Sequence, residues 1–233
     1  MTDGFQARLE DDGRGMVADL QPSSSLLLVA FGGIAHRLAM PPFEFFRLAS
    51  ALEVNKVFLR DLDESWYHRG VRGLSTDVES TAEALARIVR ETGAERVVFT
   101  GNSAGGYASL LFGALSPTPV TAHAFSPQTF LGRGARLLAL DRRWPPQMRA
   151  IQRMDGRSPT MDLRRIIAGT DGRSALHLHY GATHRLDRLH AQRLQGLPGV
   201  SLHPEQSRRH DVIKELRDRG ELGPMIAEAL STG

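Results

Sequence analysis

Short apolar runs and longer amphipathic segments alternate along most of the chain. The apolar runs predict strands at 24–31, 54–61, 96–101, 119–127, 174–181 and 199–206. The amphipathic segments predict helices at 41–52, 75–93, 106–115, 183–196 and 210–222. Strands that alternate with helices typically form a parallel sheet covered by helices on both faces. The pattern therefore predicts an α/β fold with a doubly wound sheet.

Two regions depart from this alternation. Residues 5–10 and 15–21 flank the sequence DDGRG, and we expect them to form a β-hairpin at one sheet edge, which brings the predicted strands to eight. Residues 128–174 contain two adjacent prolines and several glycines, and we expect a cap or lid insertion there; a mobile loop is the alternative. Because no repeat or linker divides the chain, we predict a single domain over residues 1–233.

The sequence around Ser103 carries the strongest chemical signal. Residues 96–106 read RVVFTGNSAGG, so that a strand runs into a G-x-S-x-G turn and then into a helix of small residues. This order is typical of a nucleophile elbow, in which glycines two residues before and after the serine make room for a strained turn. We predict that Ser103 is a nucleophile; a glycine-rich turn with a serine helix cap is the alternative.

A serine nucleophile needs a histidine base and an acid that orients it. On a sheet with a nucleophile elbow, the chain order is serine, acid, histidine. His210 lies just past the last predicted strand, which makes it the candidate base. Asp187 follows the preceding strand, whereas Asp171 lies before that strand and Asp211 is too close to its neighbour's imidazole to orient it. We predict a triad of Ser103, Asp187 and His210; an exposed helical carboxylate paired with an arginine is the alternative for the acid.

Backbone N–H groups are expected to bind the oxyanion that forms when a serine attacks a carbonyl. One belongs to Ala104, and the other comes from the loop FGGIAH, where we expect Gly33 to contribute with Ile34 beside it. A plain glycine turn is the alternative. Substrate contacts are expected from Gly32, Asn102, Trp66 and Tyr67. Simple aromatic packing is the alternative for the last two.

The remaining strand histidines are expected to be structural. His177 and His179 face the same side of one strand, but no nearby acid or third histidine completes a familiar metal site. His123 and His203 also lie within predicted strands, where packing is the simpler interpretation. We therefore expect no metal and no organic cofactor.

Composition and charge narrow the function classes. The 233 residues include no cysteine, which excludes a cysteine nucleophile, a disulfide framework and a thiolate metal site. The formal net charge is +3, and Lys56 and Lys214 are the only lysines. Arginines cluster between residues 133 and 173, where we favour a solvated, salt-bridged surface; a basic flap that attracts an anionic substrate or carrier is the alternative.

The chain shows no pattern of nucleic-acid or membrane association. Aromatic residues make up 6%, without basic–aromatic interleaving, so we expect no nucleic-acid partner. The first residues lack a signal-peptide pattern, and the longest apolar run, 26–31, is too short to cross a bilayer. We expect a cytoplasmic protein without a membrane span.

The run TGNSAGGYASLLFG, with FGGIAH before it and RHDVIKELRDRGEL after it, resembles the α/β-hydrolase superfamily over essentially the whole chain. The resemblance implies an α/β-hydrolase fold and assigns the nucleophile to Ser103, the acid to Asp187 and the base to His210. The oxyanion loop departs from the lipase-like pattern, since no histidine precedes its paired glycines.

A narrower likeness is to small bacterial hydrolase-like proteins of polysaccharide and secondary-metabolite pathways. The shared motifs are Arg60-Asp61, Trp66-Tyr67, Phe125-Ser126-Pro127 and the helix from Asp187 to Leu194. This likeness implies acyl-ester chemistry on an undetermined substrate.

The expected function is that of a serine hydrolase, of carboxylesterase or thioesterase type, that forms an acyl-enzyme. Its expected partner is a small-molecule or carrier-bound acyl substrate. One alternative is an acyltransferase of a biosynthetic pathway that uses the same triad. Another is a binding protein on a hydrolase scaffold, which would show a broken triad.

Overall fold

Seven strands form one sheet in the described part of the chain. The computed structural model describes residues 13–21, 23–34, 52–208, 210 and 212–231. The strands are β1 (Met16–Asp19), β2 (Leu26–Phe31), β3 (Asn55–Leu59), β4 (Arg96–Asn102), β5 (Thr121–Phe125), β6 (Ala175–Gly181) and β7 (Val200–Glu205). Their order in the sheet is β1-β3-β2-β4-β5-β6-β7. Only β1 runs antiparallel to its neighbour, so the predicted α/β class with a mostly parallel sheet is confirmed.

The predicted count of eight strands is corrected to seven within the described residues. The segment 15–21 does form a strand, β1, and it pairs with β3, Met16 opposite Leu59. Its expected hairpin partner at 5–10 lies outside the described residues, and so does nearly all of the predicted helix at 41–52. The eighth strand rested on that hairpin alone.

Eight α-helices occupy the described residues. They are α1 (Val78–Thr92), α2 (Ala104–Leu115), α3 (Arg133–Leu138), α4 (Pro145–Asp155), α5 (Leu163–Ile167), α6 (Arg185–Gln192), α7 (Val212–Asp218) and α8 (Leu222–Ser231). The sequence signals for α1 correspond to its two caps. Asp77 accepts from the backbone N–H of Ser80 in a capping box, and Gly93 ends the helix at φ 62°.

The helix predicted at 210–222 forms as α7, which ends earlier than predicted at Asp218, and α8 beyond it was not predicted. Gly220 lies between them at φ 75°, in the left-handed region that ends helices. The two short helices nevertheless share one apolar face. Ile213, Leu216 and Ile226 pack against Leu28 and Val98 on the sheet.

The opposite face of the sheet packs mainly against α1 and α2. Phe31, Phe99 and Phe112 form an aromatic group there, with ring centroids 5.5 to 5.6 Å apart. Ten of the twelve residues of α2 are buried, because this helix crosses the middle of the sheet directly behind β4. The helix that follows Ser103 is therefore part of the core.

Residues 128–174, where a cap was predicted, are largely helical. They carry α3, α4, α5 and a 3₁₀ turn (Pro159–Met161) between β5 and β6. Gln152 on α4 donates to the carbonyl of Leu131, and α5 packs against α2. None of the helices in the described residues has the length and apolar character needed to cross a membrane.

Candidate active site

Ser103 stands on a strained turn between β4 and α2. Its backbone has φ 55° and ψ −113°, a conformation that costs a non-glycine residue free energy. Neighbouring strands compensate for part of this cost, since the N–H of Ser103 donates to the carbonyl of Phe125 at the end of β5, 2.8 Å away. The local geometry is that of a nucleophile elbow, with the side chain at the carboxyl edge of the parallel strands.

The glycines on either side of Ser103 are required by close backbone contacts. A Cβ on Gly101 would collide with the backbone of Gly105, and a Cβ on Gly105 would collide with the carbonyl of Phe31 on β2. Both obstacles are backbone atoms of the central sheet or its first helix, which cannot turn aside as a side chain can. The G-x-S-x-G spacing thus has a direct steric reason in this fold.

The structure brings Ser103, His210 and Asp187 into one hydrogen-bonded chain. Nε2 of His210 lies 3.2 Å from Oγ of Ser103, and Nδ1 of the same ring lies 2.8 and 2.9 Å from the two carboxylate oxygens of Asp187. The Asp187 side chain is 1% exposed, whereas that of His210 is 33% exposed. A buried carboxylate therefore contacts an imidazole that solvent can still reach.

The acid lies in the first turn of α6, directly after β6. His184 caps this helix by accepting the N–H of Asp187 at Nδ1, 3.3 Å away. Arg143 approaches Asp187 from the segment between α3 and α4, with a guanidinium nitrogen 3.4 Å from Oδ1. Asp187 is thus contacted both by a guanidinium and by the imidazole of His210.

Gln128 is a site residue that the sequence analysis missed. Its Nε2 donates to Oγ of Ser103 over 3.0 Å, and its Oε1 accepts from the indole N–H of Trp66 over 3.0 Å. The indole can only donate, so the amide oxygen must face Trp66 and the amide nitrogen must face Ser103. Gln128 is fully buried, three residues past the end of β5. The motif Phe125-Ser126-Pro127 just before it is the one sequence signal that could have pointed to it.

Trp66 and Tyr67, two of the predicted substrate contacts, are both fully buried. Trp66 reaches the nucleophile through Gln128, and the hydroxyl of Tyr67 lies 3.0 and 3.1 Å from the carbonyl oxygens of Gly32 and Leu59. Tyr67 therefore ties the ends of β2 and β3 together beside the predicted oxyanion loop. The structure places both aromatic side chains behind the site rather than at its surface.

Asp61 organises the loop that carries these aromatic residues. Its carboxylate accepts from the backbone N–H groups of Ser65 (2.7 Å) and Tyr67 (3.2 Å). Burial raises the pKa of Asp61, although these hydrogen bonds act in the opposite direction. Trp66 and Tyr67 both adopt positive φ, 53° and 64°. The carboxylate thus offsets the cost of a backbone conformation that bulky residues rarely adopt.

The residues predicted to supply oxyanion donors lie on two segments close to Ser103. Ala104 is the first residue of α2, where a backbone N–H has no partner within the helix. Gly33 follows the end of β2 and lies so close to Asn102 that a Cβ there would sit 3.3 Å from the Asn102 carbonyl. Ile34 beside it is buried. The loop after β2 and the start of α2 therefore meet at the nucleophile.

A buried ionic network stands behind the acid. Nε2 of His190 on α6 lies 3.1 Å from Oδ2 of Asp141, which also pairs with Arg136 (3.3 Å) and Arg143 (2.9 Å). Burial alone would raise the pKa of Asp141, but hydrogen bonds from His190 and Arg143 hold it below its usual range. Burial lowers the pKa of His190 to about 4. Arg143 bridges Asp141 and Asp187, so this network and the predicted triad share one cation.

The four strand histidines form what we call the histidine tetrad: His123, His177, His179 and His203. His123 and His179 are hydrogen-bonded over 3.1 Å, and His177 and His203 over 3.0 Å. The two pairs stack on each other, with interplanar angles of 14° and 17°. Stacked rings point their nitrogens along parallel planes and not toward a common ion. This geometry is that of side-chain packing between strands.

Among the described residues, one group of side chains is close enough to hold a metal ion: His184, Asp187 and His210, whose ligand atoms lie within 4.8 Å of one another. Asp187 and His210 are already joined by the hydrogen bonds given above. An ion there would have to displace the proton on Nδ1 of His210, so metal binding and the triad hydrogen bond exclude each other.

Known structures resemble this fold at low sequence identity. The capsule O-acetyltransferase of Neisseria meningitidis serogroup A has a TM-score of 0.61 at 11% identity, covering 88% of this chain and 89% of that one. A carboxylesterase from Bacillus subtilis has a TM-score of 0.58 at 13% identity, covering 99% and 98%. An esterase from Pyrococcus furiosus has a TM-score of 0.54 at 14% identity, covering 94% and 88%.

No family model matches the chain, and no curated protein matches it significantly. The structural likeness nevertheless spans nearly the whole chain, and the neighbours are esterases and an acetyltransferase of the α/β-hydrolase type. The mostly parallel sheet, with the serine elbow between β4 and α2, agrees with that likeness. The chain therefore has the α/β-hydrolase fold.

Proposed function

We propose that this protein is a serine hydrolase that cleaves an ester or thioester through Ser103, His210 and Asp187. The observation that carries the proposal is the unbroken chain of hydrogen bonds from Oγ of Ser103 through the imidazole to a buried carboxylate, at 3.2 and 2.8 Å. These distances are within the reach needed for proton transfer between nucleophile and base. They do not favour the alternative of a binding protein with a broken triad.

Each residue would have a defined task in the reaction. Nε2 of His210 accepts the Ser103 proton as Oγ attacks the carbonyl carbon, and Asp187 stabilises the imidazolium that results. The carbonyl π electrons move to oxygen, and we assign the N–H groups of Ala104, Gly33 and Ile34 to bind that oxyanion. When the intermediate collapses, His210 returns the proton to the leaving alcohol or thiol.

The second half of the reaction repeats the first with water. His210 takes a proton from water, the hydroxide attacks the acyl carbon, and Oγ of Ser103 leaves with the proton that His210 returns. Gln128 donates its Nε2 N–H to Oγ in the unliganded site, and we assign this N–H the role of stabilising negative charge that develops beside Oγ in the transition state. The carboxamide is held in place by Trp66, which gives this predicted substrate contact an indirect part.

Acyl transfer to an alcohol or amine is the second candidate. The same residues would form the acyl-enzyme, and an acceptor other than water would attack it. One structural neighbour is a capsule O-acetyltransferase that was solved with CoA, which shows that this fold accommodates such chemistry. Product analysis with added alcohols and amines would separate the two candidates, because transfer consumes acyl donor without releasing an equal amount of free acid.

The test of the serine-hydrolase proposal is fluorophosphonate labelling followed by intact-mass measurement. The wild type should gain one adduct and Ser103→Ala none, while His210→Ala and Asp187→Asn should label slowly. Ser109→Ala is a matched control, because Ser109 lies on α2 with its hydroxyl bonded to the carbonyl of Gly106. A wild type that stays unlabelled while a known esterase reacts, or an adduct that persists in Ser103→Ala, would reject the assignment.

A further inference from the structure

A cavity of about 810 Å³ lies between α3, α5 and α6, on the side of α6 that faces away from Asp187. Its walls include Arg164, Arg185, Arg188 and Arg193. None of the predicted triad residues is part of its lining. The volume falls in the range of known small-molecule sites.

The arginines of this cavity are poorly neutralised. Arg193 pairs with Asp162, but Arg164 and Arg185 donate to the backbone carbonyls of Arg193 and Ala139, which carry no net charge. Among the described residues, no carboxylate forms an ion pair with Arg164, Arg185 or Arg188. The wall of the cavity therefore carries three arginine charges that no carboxylate in the described part of the chain neutralises.

Apart from Gln192, the rest of the lining is apolar. Phe130 lies beneath this wall and is only 2% exposed, with its ring stacked on His190 and the guanidinium of Arg193 5.6 Å from its centroid. Leu138 on α3 also lines the cavity and is 89% exposed. A large apolar side chain open to solvent beside arginines suits a ligand that combines an anionic group with an apolar or planar one.

We propose that this cavity binds a small organic phosphate, with the phosphates on Arg185 and Arg188 and the apolar portion against Leu138 and Leu189. Guanidinium groups bind phosphate oxygens in bidentate fashion, and several unpaired ones in one cavity favour a ligand with more than one negative charge. A diphosphate joined to a planar group, as in a nucleotide, fits both the charge and the volume.

The position of the cavity links it to the candidate active site. Arg185 and Arg188 project from the outer face of α6, while Asp187 on the buried face of the same helix orients His210. The two sites are thus separated by about the width of one helix, roughly 10 Å. A phosphate-bearing acyl substrate could bind here by its phosphates while its acyl group reaches Ser103; this link to substrate rests on the proposed function, whereas phosphate binding does not.

A second arginine-lined cavity supplies the control. It has a volume of about 800 Å³ and is lined by Arg133, Arg149, Arg153 and Arg157, without an aromatic wall. Removing one of its charges changes the net charge of the protein as much as removing one from the first cavity. Comparing variants of the two cavities therefore distinguishes a specific binding site from general attraction of anions to a basic surface.

The binding test uses ADP and inorganic pyrophosphate in calorimetric titrations of the Ser103→Ala protein. We expect ADP to bind more tightly than pyrophosphate, and Arg188→Gln to weaken ADP binding at least about fivefold. Arg149→Gln should change it less than twofold. Absence of ADP binding at millimolar concentration, or equal weakening by Arg188→Gln and Arg149→Gln, would overturn the site.

The substrate link is tested with two thioesters of the same acyl group. The wild type should show a lower KM for acetyl-CoA than for S-acetyl-N-acetylcysteamine, which lacks phosphates, and Arg188→Gln should remove the difference. Equal KM values in the wild type would overturn the link. If Ser103 is labelled by fluorophosphonate but the protein does not bind ADP, only the phosphate site is rejected. If the protein binds ADP but Ser103 is not labelled, the serine-hydrolase proposal is rejected and the phosphate site remains supported.

Discussion

The amide nitrogen of Gln128 donates a hydrogen bond to Oγ of Ser103 over 3.0 Å, and the indole of Trp66 fixes the direction of that amide. Oγ therefore has two fixed partners, His210 on one side and Gln128 on the other. One can accept the serine proton, and the other can donate to an oxygen on which negative charge develops. The pair Gln128–Trp66 gives the site a polar side chain where the sequence predicts only backbone donors.

Gln128→Ala should lower kcat/KM for an activated ester by about 10- to 100-fold, because one preorganised donor near the oxyanion is lost. Gln128→Glu should lose more, since a carboxylate cannot donate and repels the developing charge. The measurement is steady-state kinetics together with the rate of fluorophosphonate labelling.

Gln147→Ala is the matched control, because Gln147 donates its amide to Glu64 and not to Ser103. It should keep wild-type kinetics. If Gln128→Ala stays within threefold of the wild type while retaining its thermal stability, Gln128 has no part in transition-state binding.

Arg143 connects the predicted acid with the buried carboxylate of Asp141. Arg143→Gln leaves Asp141 and Asp187 with one cation fewer and should lower the free energy of unfolding by about 2 kcal/mol, less than for a fully buried pair because its side chain is 21% exposed. The same change removes the guanidinium that contacts Asp187, so this carboxylate is held less firmly beside His210 and kcat/KM should fall.

Arg142→Gln provides the comparison, since Arg142 is the exposed neighbour of Arg143 and carries the same charge. Urea unfolding and steady-state kcat/KM test both effects. Equal losses of kcat/KM in both variants would mean that Arg143 acts through net charge and not through its contact with Asp187.

The local features of this fold could be predicted from sequence, because each depends on residues a few positions apart. The caps of α1 and the glycines around Ser103 are of this kind. Gln128 could not be predicted: it lies 25 residues from Ser103, and only the packing of β5 against β4 brings it to the nucleophile.

The ion pairs around Asp187 could not be predicted from sequence for the same reason. Arg143 and Asp187 are 44 residues apart, and Asp141 and His190 are 49 apart. The arginine-rich segment was expected to be a solvated surface, yet Arg136 is almost fully buried and Arg143 reaches the acid. The pattern of charged residues in a sequence does not by itself predict which of them become buried in the fold.

The histidine tetrad makes stability depend on pH. Burial lowers the pKa of His123 to about 3 and holds that of His179 well below the ordinary 6.5. Burial also lowers the pKa values of His177 and His203, although Glu205 partly opposes the shift of His203. The unfolded chain binds protons on these histidines more readily than the folded chain does. The stability that depends on their neutral form is therefore fully present above pH 6.5 and is lost as the pH falls toward 3.

His123→Phe keeps an aromatic ring in the stack but removes one of these groups. The drop in unfolding free energy between pH 6.5 and 5 should become smaller by about 2 kcal/mol, since each such histidine contributes up to about 1.4 kcal/mol per pH unit. The measurement is urea unfolding at both pH values. An unchanged drop in His123→Phe would show that His123 is not the source.

The tight contact of α2 with β2 leaves no room for a side chain at Gly105. Gly105→Ala should lower the free energy of unfolding by about 3 kcal/mol or more, because the new methyl group would collide with the carbonyl of Phe31, a backbone atom in the centre of the sheet. Gly113→Ala lies on the same helix, but its methyl group would meet a flexible side-chain carbon of Leu176 at 3.1 Å. That strain is small and is offset by the better helix propensity of alanine, about 1 kcal/mol. Urea unfolding should therefore show near wild-type stability for Gly113→Ala and a large loss for Gly105→Ala; equal losses would mean that packing of α2 as a whole, and not the elbow, sets the need for glycine.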